Sequence, residues 1–399
     1  INTSTGLLAQ IGCGGGTGCV GANFAAGSAP VAVSVDASSK FVYVVNYGSN
    51  DISTFAIGTT GALTRLETMR SRNAATASLH EQSYLSAVEA WASGDPSGAI
   101  GRFEALLQAW PRDLMALHLA MLFHFKRGRN TEMLRLCQAA APANADNPVI
   151  HGMLAFALEQ CDQFAAAEAA GRRGVELKRD DLGAQHAVAH VLEMQERVAE
   201  GRAWLEGLSD TWDTATAMTQ SHLWWHLALF CLDLGDRDHA FELFDSCVWQ
   251  DGDWTAEKAE SRYPVNGIHL LWRLELDGVE LGDRWSRVAR RVAARVRDPA
   301  EPYPSLLYLF ALLRGGDAAA AAEMLESIEA RARDGGSQDA PAWRDCALPT
   351  AHGLQAFARG DRRRAADRLA PLAGERWIAL GHSPVQRNIF AATLAACGD

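Results

Sequence analysis

The chain lacks a hydrophobic run long enough to form a membrane-spanning helix, and it has no excess of positive charge. A helix needs roughly 20 consecutive apolar residues to cross a bilayer, and no stretch of this sequence approaches that length. Lys and Arg number 37 against 48 Asp and Glu, which gives a formal charge of −11. Nucleic acids and anionic membranes bind basic surfaces, so the composition argues against both as partners.

Cysteines at disulfide or zinc-site spacing are also missing. The eight cysteines are scattered through 399 residues, mostly inside apolar helical patterns. This distribution is typical of buried thiols in a reducing compartment, and we predict a cytoplasmic protein. The sequence contains no nucleophile elbow and no Rossmann glycine fingerprint, so these motifs indicate no enzyme class.

The first 66 residues have no Trp and almost no charge, whereas all 12 Trp residues of the chain lie beyond them. This contrast predicts two differently folded parts, residues 1–66 and residues 67–399. Within the first part, a glycine-rich stretch precedes short β-branched and aromatic runs separated by turn residues, which predict a small β-meander. Residues 30–64 resemble a single blade of a lactonase or YVTN-type β-propeller. Because a propeller needs several blades, we expect no propeller activity.

From Ala87 onward, apolar residues recur at helical spacing with short, regular breaks. The breaks at Gly94, Gly128, Asp162 and Glu196 are each 34 residues apart, the length of a tetratricopeptide repeat. Each such repeat is a helix, a tight turn and a second helix. Residues 67–399 are therefore predicted to be all-α, a tetratricopeptide-like α-solenoid of helix pairs.

Two His-x-x-x-His pairs provide the strongest chemical signal. They are His186/His190 and His222/His226, and Glu193 follows the first pair by three residues. On a helix, the first pair and Glu193 fall within about 60° of one another and point from one face. Counted back from their turns, both pairs lie on the first helices of neighbouring repeats, which line the concave side of such an array. We therefore predict that the five side chains converge.

Three interpretations of this convergence stay open. Neutral imidazoles and a carboxylate are the donors that Zn²⁺ or another divalent metal prefers, with Glu193 as a ligand or as a general base. The same groups can bind a polar ligand without a metal. They can also form structural hydrogen bonds in the interior, because His-x-x-x-His recurs by chance in helices and no His-Glu-x-x-His motif is present.

Tryptophans near the histidines give a second set of candidate contacts. Trp224, Trp225 and Trp272 combine a large apolar area with a hydrogen-bond donor, which suits the lining of a binding groove. At helical spacing, however, aromatic residues are also typical of packing between repeats. The first predicted function is a helical-repeat scaffold that binds a peptide, protein or small molecule in its concave groove. The alternative is a metal-dependent hydrolase with a His/Glu site on two adjacent repeat helices.

The helical part also resembles the tetratricopeptide repeat protein 38 family, in order, over residues 81–397. Matching segments include HAVAHVLEMQERVAEG (186–201), HLWWHLALF (222–230) and LLWRLELDGVELGDRW (270–285). The resemblance implies an α-solenoid and places both histidine pairs in the pattern of the family. It does not imply an activity. The chain departs from the pattern at residues 304–307, at Asn266 and Asn388, where Asp is usual, and at His382, where Gly is usual.

Overall fold

The computed structural model describes six short strands between residues 7 and 65, and then residues 78–92, 95–213, 215–249, 263–297, 299, 301–335 and 339–398. Its contacts divide the chain into two compact units. The first contains the described residues up to Ala120 together with Thr216–Met218, and the other described residues from Met121 onward form the second. The predicted boundary at residue 66 falls outside the described residues and stays a prediction.

The strands form two separate antiparallel sheets. A two-stranded sheet pairs β1 (Leu7–Leu8) with β2 (Phe24–Ala25). A four-stranded sheet has the order β3-β4-β5-β6, in which each strand pairs with the next along the chain. Its members are β3 (Pro30–Val35), β4 (Phe41–Asn46), β5 (Asp51–Ile57) and β6 (Leu63–Arg65). The similarity of this segment to a propeller blade stays a prediction.

The rest of the described chain is helical, which confirms the predicted all-α, tetratricopeptide-like array. It contains eighteen α-helices, most of them joined in pairs by short turns. They are α1 (Leu79–Ala92), α2 (Pro96–Ala109), α3 (Leu114–Lys126), α4 (Asn130–Ala140), α5 (Pro148–Glu159), α6 (Phe164–Leu177), α7 (Leu182–Met194), α8 (Val198–Glu206), α9 (Ala217–Asp233), α10 (Arg237–Leu243), α11 (Tyr263–Leu276), α12 (Arg284–Val292), α13 (Pro302–Arg314), α14 (Ala318–Arg333), α15 (Ala340–Ala342), α16 (Leu348–Ala358), α17 (Arg362–Leu369) and α18 (Pro384–Ala395).

The turn inside a helix pair has a recurring physical basis. One residue ends the first helix in the left-handed conformation, where glycine is favoured because it has no Cβ. Gly235, for example, has φ +79°, and the next residue, Asp236, accepts a hydrogen bond from the backbone of α10 and caps that helix. The predicted breaks at Gly128, Asp162 and Glu196 all have positive φ, so these turns are confirmed. A further turn of this kind, at Gly278 between α11 and α12, had no predicted break.

The core of the second unit is formed by large side chains between successive helix pairs. Trp212, Trp225, Trp249, Trp272 and Trp343 are all fully buried or nearly so. In the described part of the chain, no helix is long and apolar enough to cross a membrane. The six cysteines that the structure describes are all free thiols.

The C-terminal segment returns to helices that lie much earlier in the second unit. Helix α18 packs against α11 and α7. Tyr303 on α13 donates a hydrogen bond from its hydroxyl to the carbonyl of Gln386 on α18, at 3.0 Å. The 3₁₀ turn Gly374–Leu380, which precedes α18, brings the carbonyl of Ile378 close to Gly128, after α3. The inner helices of this unit are therefore covered by its own C-terminal helix.

Candidate functional site

The four predicted histidines converge between two neighbouring helix pairs. His186 and His190 are on α7, and His222 and His226 are on α9. One ring nitrogen from each can be chosen so that all four atoms lie within 4.8 Å of one another. The predicted convergence of these four side chains is confirmed. Metal binding by them stays a prediction.

The imidazole rings face each other closely across the two helices. Nε2 of His186 lies 2.9 Å from Nε2 of His222, and the ring centroids of His190 and His226 are 4.7 Å apart. His190 and His226 are buried, at 1% and 0% exposure, whereas His186 and His222 are partly exposed. We call His190 and His226 the deep pair of the cluster, and His186 and His222 its outer pair.

Oxygen atoms lie behind three of the four rings. Nδ1 of His226 is 3.1 Å from Oε2 of Glu193, and Nδ1 of His222 is 3.0 Å from Oδ1 of Asn266. Nδ1 of His190 is 3.3 Å from Oε2 of Glu159, a side chain with no exposed surface. The contacts of His222 and His226 are hydrogen bonds, whereas Nδ1 of His190 has no hydrogen-bond partner among the described residues. An oxygen that accepts a hydrogen bond from Nδ1 holds the proton there and leaves the lone pair on Nε2.

The orientation of the Asn266 amide is set by a chain of hydrogen bonds. Its Nδ2 donates to Oγ of Ser221 at 3.2 Å, and that hydroxyl donates to the carbonyl of Val248 at 3.1 Å. The amide oxygen, which can only accept, therefore faces His222. The ring of His222 must donate from Nδ1, and its Nε2 is then free of a proton and able to act as a ligand.

Close packing of α5 against α7 brings Glu159 to the cluster. A Cβ on Gly152 would lie 2.7 Å from the backbone nitrogen of Ala184, so only glycine permits this approach. Phe156, one turn before Glu159, stacks on His186 with a centroid distance of 5.8 Å and an interplanar angle of 24°. Helix α5 thus contributes one carboxylate and one aromatic ring to the site.

Burial determines the protonation states of the groups in the cluster. Desolvation lowers the pKa of His186 and of His226 well below the usual histidine value, and neighbouring imidazoles lower both further. Desolvation raises the pKa of Glu193 to about 8, with a further contribution from Asp233. Both histidines are therefore neutral at physiological pH, the form in which imidazole binds metals.

The deep pair has polar atoms that the described part of the protein leaves without a hydrogen-bond partner. These atoms are both ring nitrogens of His190 and Nε2 of His226. A buried polar atom without a partner costs roughly 1–3 kcal/mol, so several of them in one cluster call for a ligand among them.

Glu193 and the tryptophans occupy positions other than those predicted. Glu193 lies behind His226, in contact with the ring of that histidine, and is not one of the four side chains whose ligand atoms lie within 4.8 Å of one another. Its predicted role as a ligand or general base stays a prediction. Trp272 has 0% exposure and stacks on Phe310 at 3.6 Å, which makes it a core residue and not a groove contact. Trp225 is also buried. Trp224 is partly exposed and packs edge-on against Trp212.

Trp225 nevertheless contacts the histidine cluster. It stacks on His222 with a centroid distance of 4.9 Å and an angle of 15°, and its Nε1 donates to Nδ1 of His269 at 3.2 Å. It therefore restricts the ring of His222 from the interior side and links the cluster to α11. This is a contact within the protein, and the predicted role of Trp225 in binding a ligand from solvent is not supported.

Three residues of the site were not predicted from sequence, namely Glu159, Asn266 as a partner of His222, and His269. The repeat length contains a signal for the first, since Glu159 precedes Glu193 by 193 − 159 = 34 residues, one tetratricopeptide period. No comparable signal exists for the other two. They lie 44 residues after His222 and Trp225, a spacing that reflects the longer connection before α11.

Comparison with known proteins does not extend these observations. No protein-family model matches the chain. Among solved structures, the TPR domain of P58(IPK) is similar over 80% of this chain and 97% of that domain, with 10% identity and a TM-score of 0.22. A similarity this low carries no argument. The tetratricopeptide-like fold rests on the helix pairs themselves, and membership of the tetratricopeptide repeat protein 38 family stays a prediction.

Proposed function

We propose that this helical-repeat protein binds a divalent transition-metal ion, Zn²⁺ or one of similar preference, through His186, His190, His222 and His226. The observation that carries the proposal is the set of four imidazole nitrogens within 4.8 Å of one another. Around tetrahedral Zn²⁺, with Zn–N of about 2.0–2.1 Å, the nitrogens would be about 3.3 Å apart. Small rotations of the rings would bring them to that distance.

The groups behind the rings support a metal over a purely structural cluster. Histidines that bind metals usually direct their other nitrogen to a carboxylate or carbonyl oxygen, which orients the ring and increases its basicity. Here Glu159, Glu193 and Asn266 supply three such oxygens from three different helices. A purely structural cluster should satisfy its buried nitrogens, whereas Nε2 of His190 and Nε2 of His226 have no hydrogen-bond partner among the described residues.

The chemistry available to such a centre is that of a Lewis acid. A bound divalent ion lowers the pKa of a coordinated water and polarises carbonyl or phosphoryl oxygens, which supports hydrolysis. In this protein, Glu159 and Glu193 would orient the rings of His190 and His226. This favours the metal-dependent alternative of the two predicted functions.

The geometry gives less support to an open peptide-binding groove. Trp272 belongs to the core, and α18 covers part of α7 and α11. A helical-repeat scaffold that binds a protein or peptide elsewhere on its surface stays a prediction, with no contact in the described residues to locate it.

The test is a metal analysis of protein purified without a histidine tag. We expect about one divalent ion per chain, and its loss from a His190→Ala/His226→Ala variant. A matched control, His151→Ala/His239→Ala, removes two histidines outside the cluster and should keep the ion. Circular dichroism establishes that each variant is folded, and a single His190→Gln variant replaces the double one if it is not. Folded protein that neither contains nor takes up Zn²⁺, Co²⁺, Ni²⁺ or Fe²⁺ would refute the proposal.

A further inference from the structure

We infer that His186 is the exchangeable ligand of this centre, the one that yields its position to water or another small oxygen or nitrogen donor. The inference rests on the proposed function and adds to it, because it makes the centre an open one and not a closed structural site. Four permanent imidazoles would fill a tetrahedral ion, whereas three leave a position for a reactant.

The first observation is that the four histidines differ in whether an oxygen atom lies close to the outer ring nitrogen. His190, His222 and His226 each have an oxygen from Glu159, Asn266 or Glu193 within 3.3 Å of Nδ1. Within the part of the chain that the structure describes, no carboxylate or amide group is seen on the outer nitrogen of His186. Since such partners typically account for a 10- to 100-fold difference in metal affinity, His186 is the most weakly supported of the four ligands.

The second observation is the position of His186 relative to solvent. It belongs to the outer pair, and its ring lies on Phe156, which is itself partly exposed. His222, the other outer histidine, is held on both sides, by the amide of Asn266 and by the stacked ring of Trp225. Rotation of His186 away from the ion would open the cluster on its solvent side and, among the residues that the structure describes, would break one hydrogen bond, that to His222 at 2.9 Å.

The third observation is the apolar surface beside His186, which indicates the class of incoming donor. Phe156 is partly exposed and stacks on the ring of His186 with a centroid distance of 5.8 Å. The geometry points to a small monodentate donor, such as water or the carbonyl oxygen of an uncharged substrate, beside this ring.

The two outer histidines provide a matched pair of variants, because they are hydrogen-bonded to each other and differ mainly in their supporting contacts. Co²⁺ is the probe, since its visible spectrum reports the number and type of its ligands. We expect His186→Ala to keep about one Co²⁺ per chain, with affinity reduced by less than 10-fold. We expect His222→Ala to reduce the affinity for Co²⁺ by at least 100-fold. Azide should change the spectrum of the parent protein and bind at least 10-fold more tightly to His186→Ala.

The outcomes separate the inference from the proposed function. Absence of Co²⁺ binding by the parent protein would refute both. Stoichiometric Co²⁺ with equal losses of affinity in His186→Ala and His222→Ala, and a parent spectrum unaffected by azide, would leave the metal site in place and overturn the exchangeable ligand. A structural role for His186 alone would alter folding but would not change azide affinity.

Discussion

Replacing Glu159 by Gln removes one negative charge from behind His190 and changes the shape of the site very little. Oε2 of Glu159 lies 3.3 Å from Nδ1 of His190, which would place the carboxylate about 7 Å from an ion bound at Nε2. With an effective dielectric constant of about 20, Coulomb's law gives about 5 kcal/mol for a dication and a carboxylate at that distance, as an upper bound. Solvent and the other ligands reduce this value.

We therefore expect the metal affinity of Glu159→Gln to fall by about 10- to 100-fold, or about 1.4–2.7 kcal/mol, the usual effect of removing such a partner. The assay is competition for Zn²⁺ with a chromophoric chelator of known affinity. Glu176→Gln is the matched control, because Glu176 lies on α6 and is largely exposed in a pair with Arg173. Equal affinities of Glu159→Gln and the parent protein, both folded, would show that Glu159 does not act through His190.

The remaining predictions concern the stability of the metal-free protein. Between about pH 4.5 and 6.5, the unfolded chain holds protons on the histidines whose pKa is lowered by folding, while folding holds one on Glu193; these histidines are His118, His186, His226, His269 and His352. Unfolding thus takes up as many as four protons, and urea denaturation should show stability falling on acidification by up to about 5.4 kcal/mol per pH unit. From about pH 6.5 to 8 only Glu193 contributes and the sign reverses, so a stability that rises steadily through that range would contradict the assignment. Gly128→Ala should lower the free energy of unfolding by about 2–3 kcal/mol, and Gly235→Ala by about 1 kcal/mol. Both glycines have positive φ, but of the two only Gly128 would place its new Cβ against a backbone atom, the carbonyl oxygen of Ile378 at 2.7 Å. Equal shifts in Tm would contradict the contact with Ile378. Trp272→Ala should lower the free energy of unfolding, measured by chemical denaturation, by about 3–5 kcal/mol. A decrease of less than about 1 kcal/mol would place that ring outside the core.

The helix pairs could be predicted from the sequence because two local signals agree. Apolar periodicity marks each helix, and a turn residue every 34 positions marks each pair. Asp162 and Glu196 occupy the left-handed position without being glycine, and only the spacing identified them. The pair around Gly278 was missed because the connection before α11 is longer and breaks the period.

The histidine cluster was predictable for a related reason. The spacing of each pair within its helix and the position of each helix within its repeat are both local properties, and together they place the four rings on facing surfaces. The supporting groups depend on neighbouring helices, which the sequence relates to the cluster only through the repeat length. The burial of Trp272 could not be predicted, because a tryptophan at helical spacing has the same pattern in a core as in a groove.

The position of α18 also has a consequence for the order in which the molecule can be completed. Tandem repeats usually contact only their neighbours, and they can fold one after another as the chain is made. Here Tyr303 and the helix that bears His186 and His190 contact a helix that is synthesised after both of them. A ribosome must therefore add nearly 200 residues after His190 before the surroundings of the cluster are finished, and a nascent chain that stops before residue 384 would present these histidines without their cover.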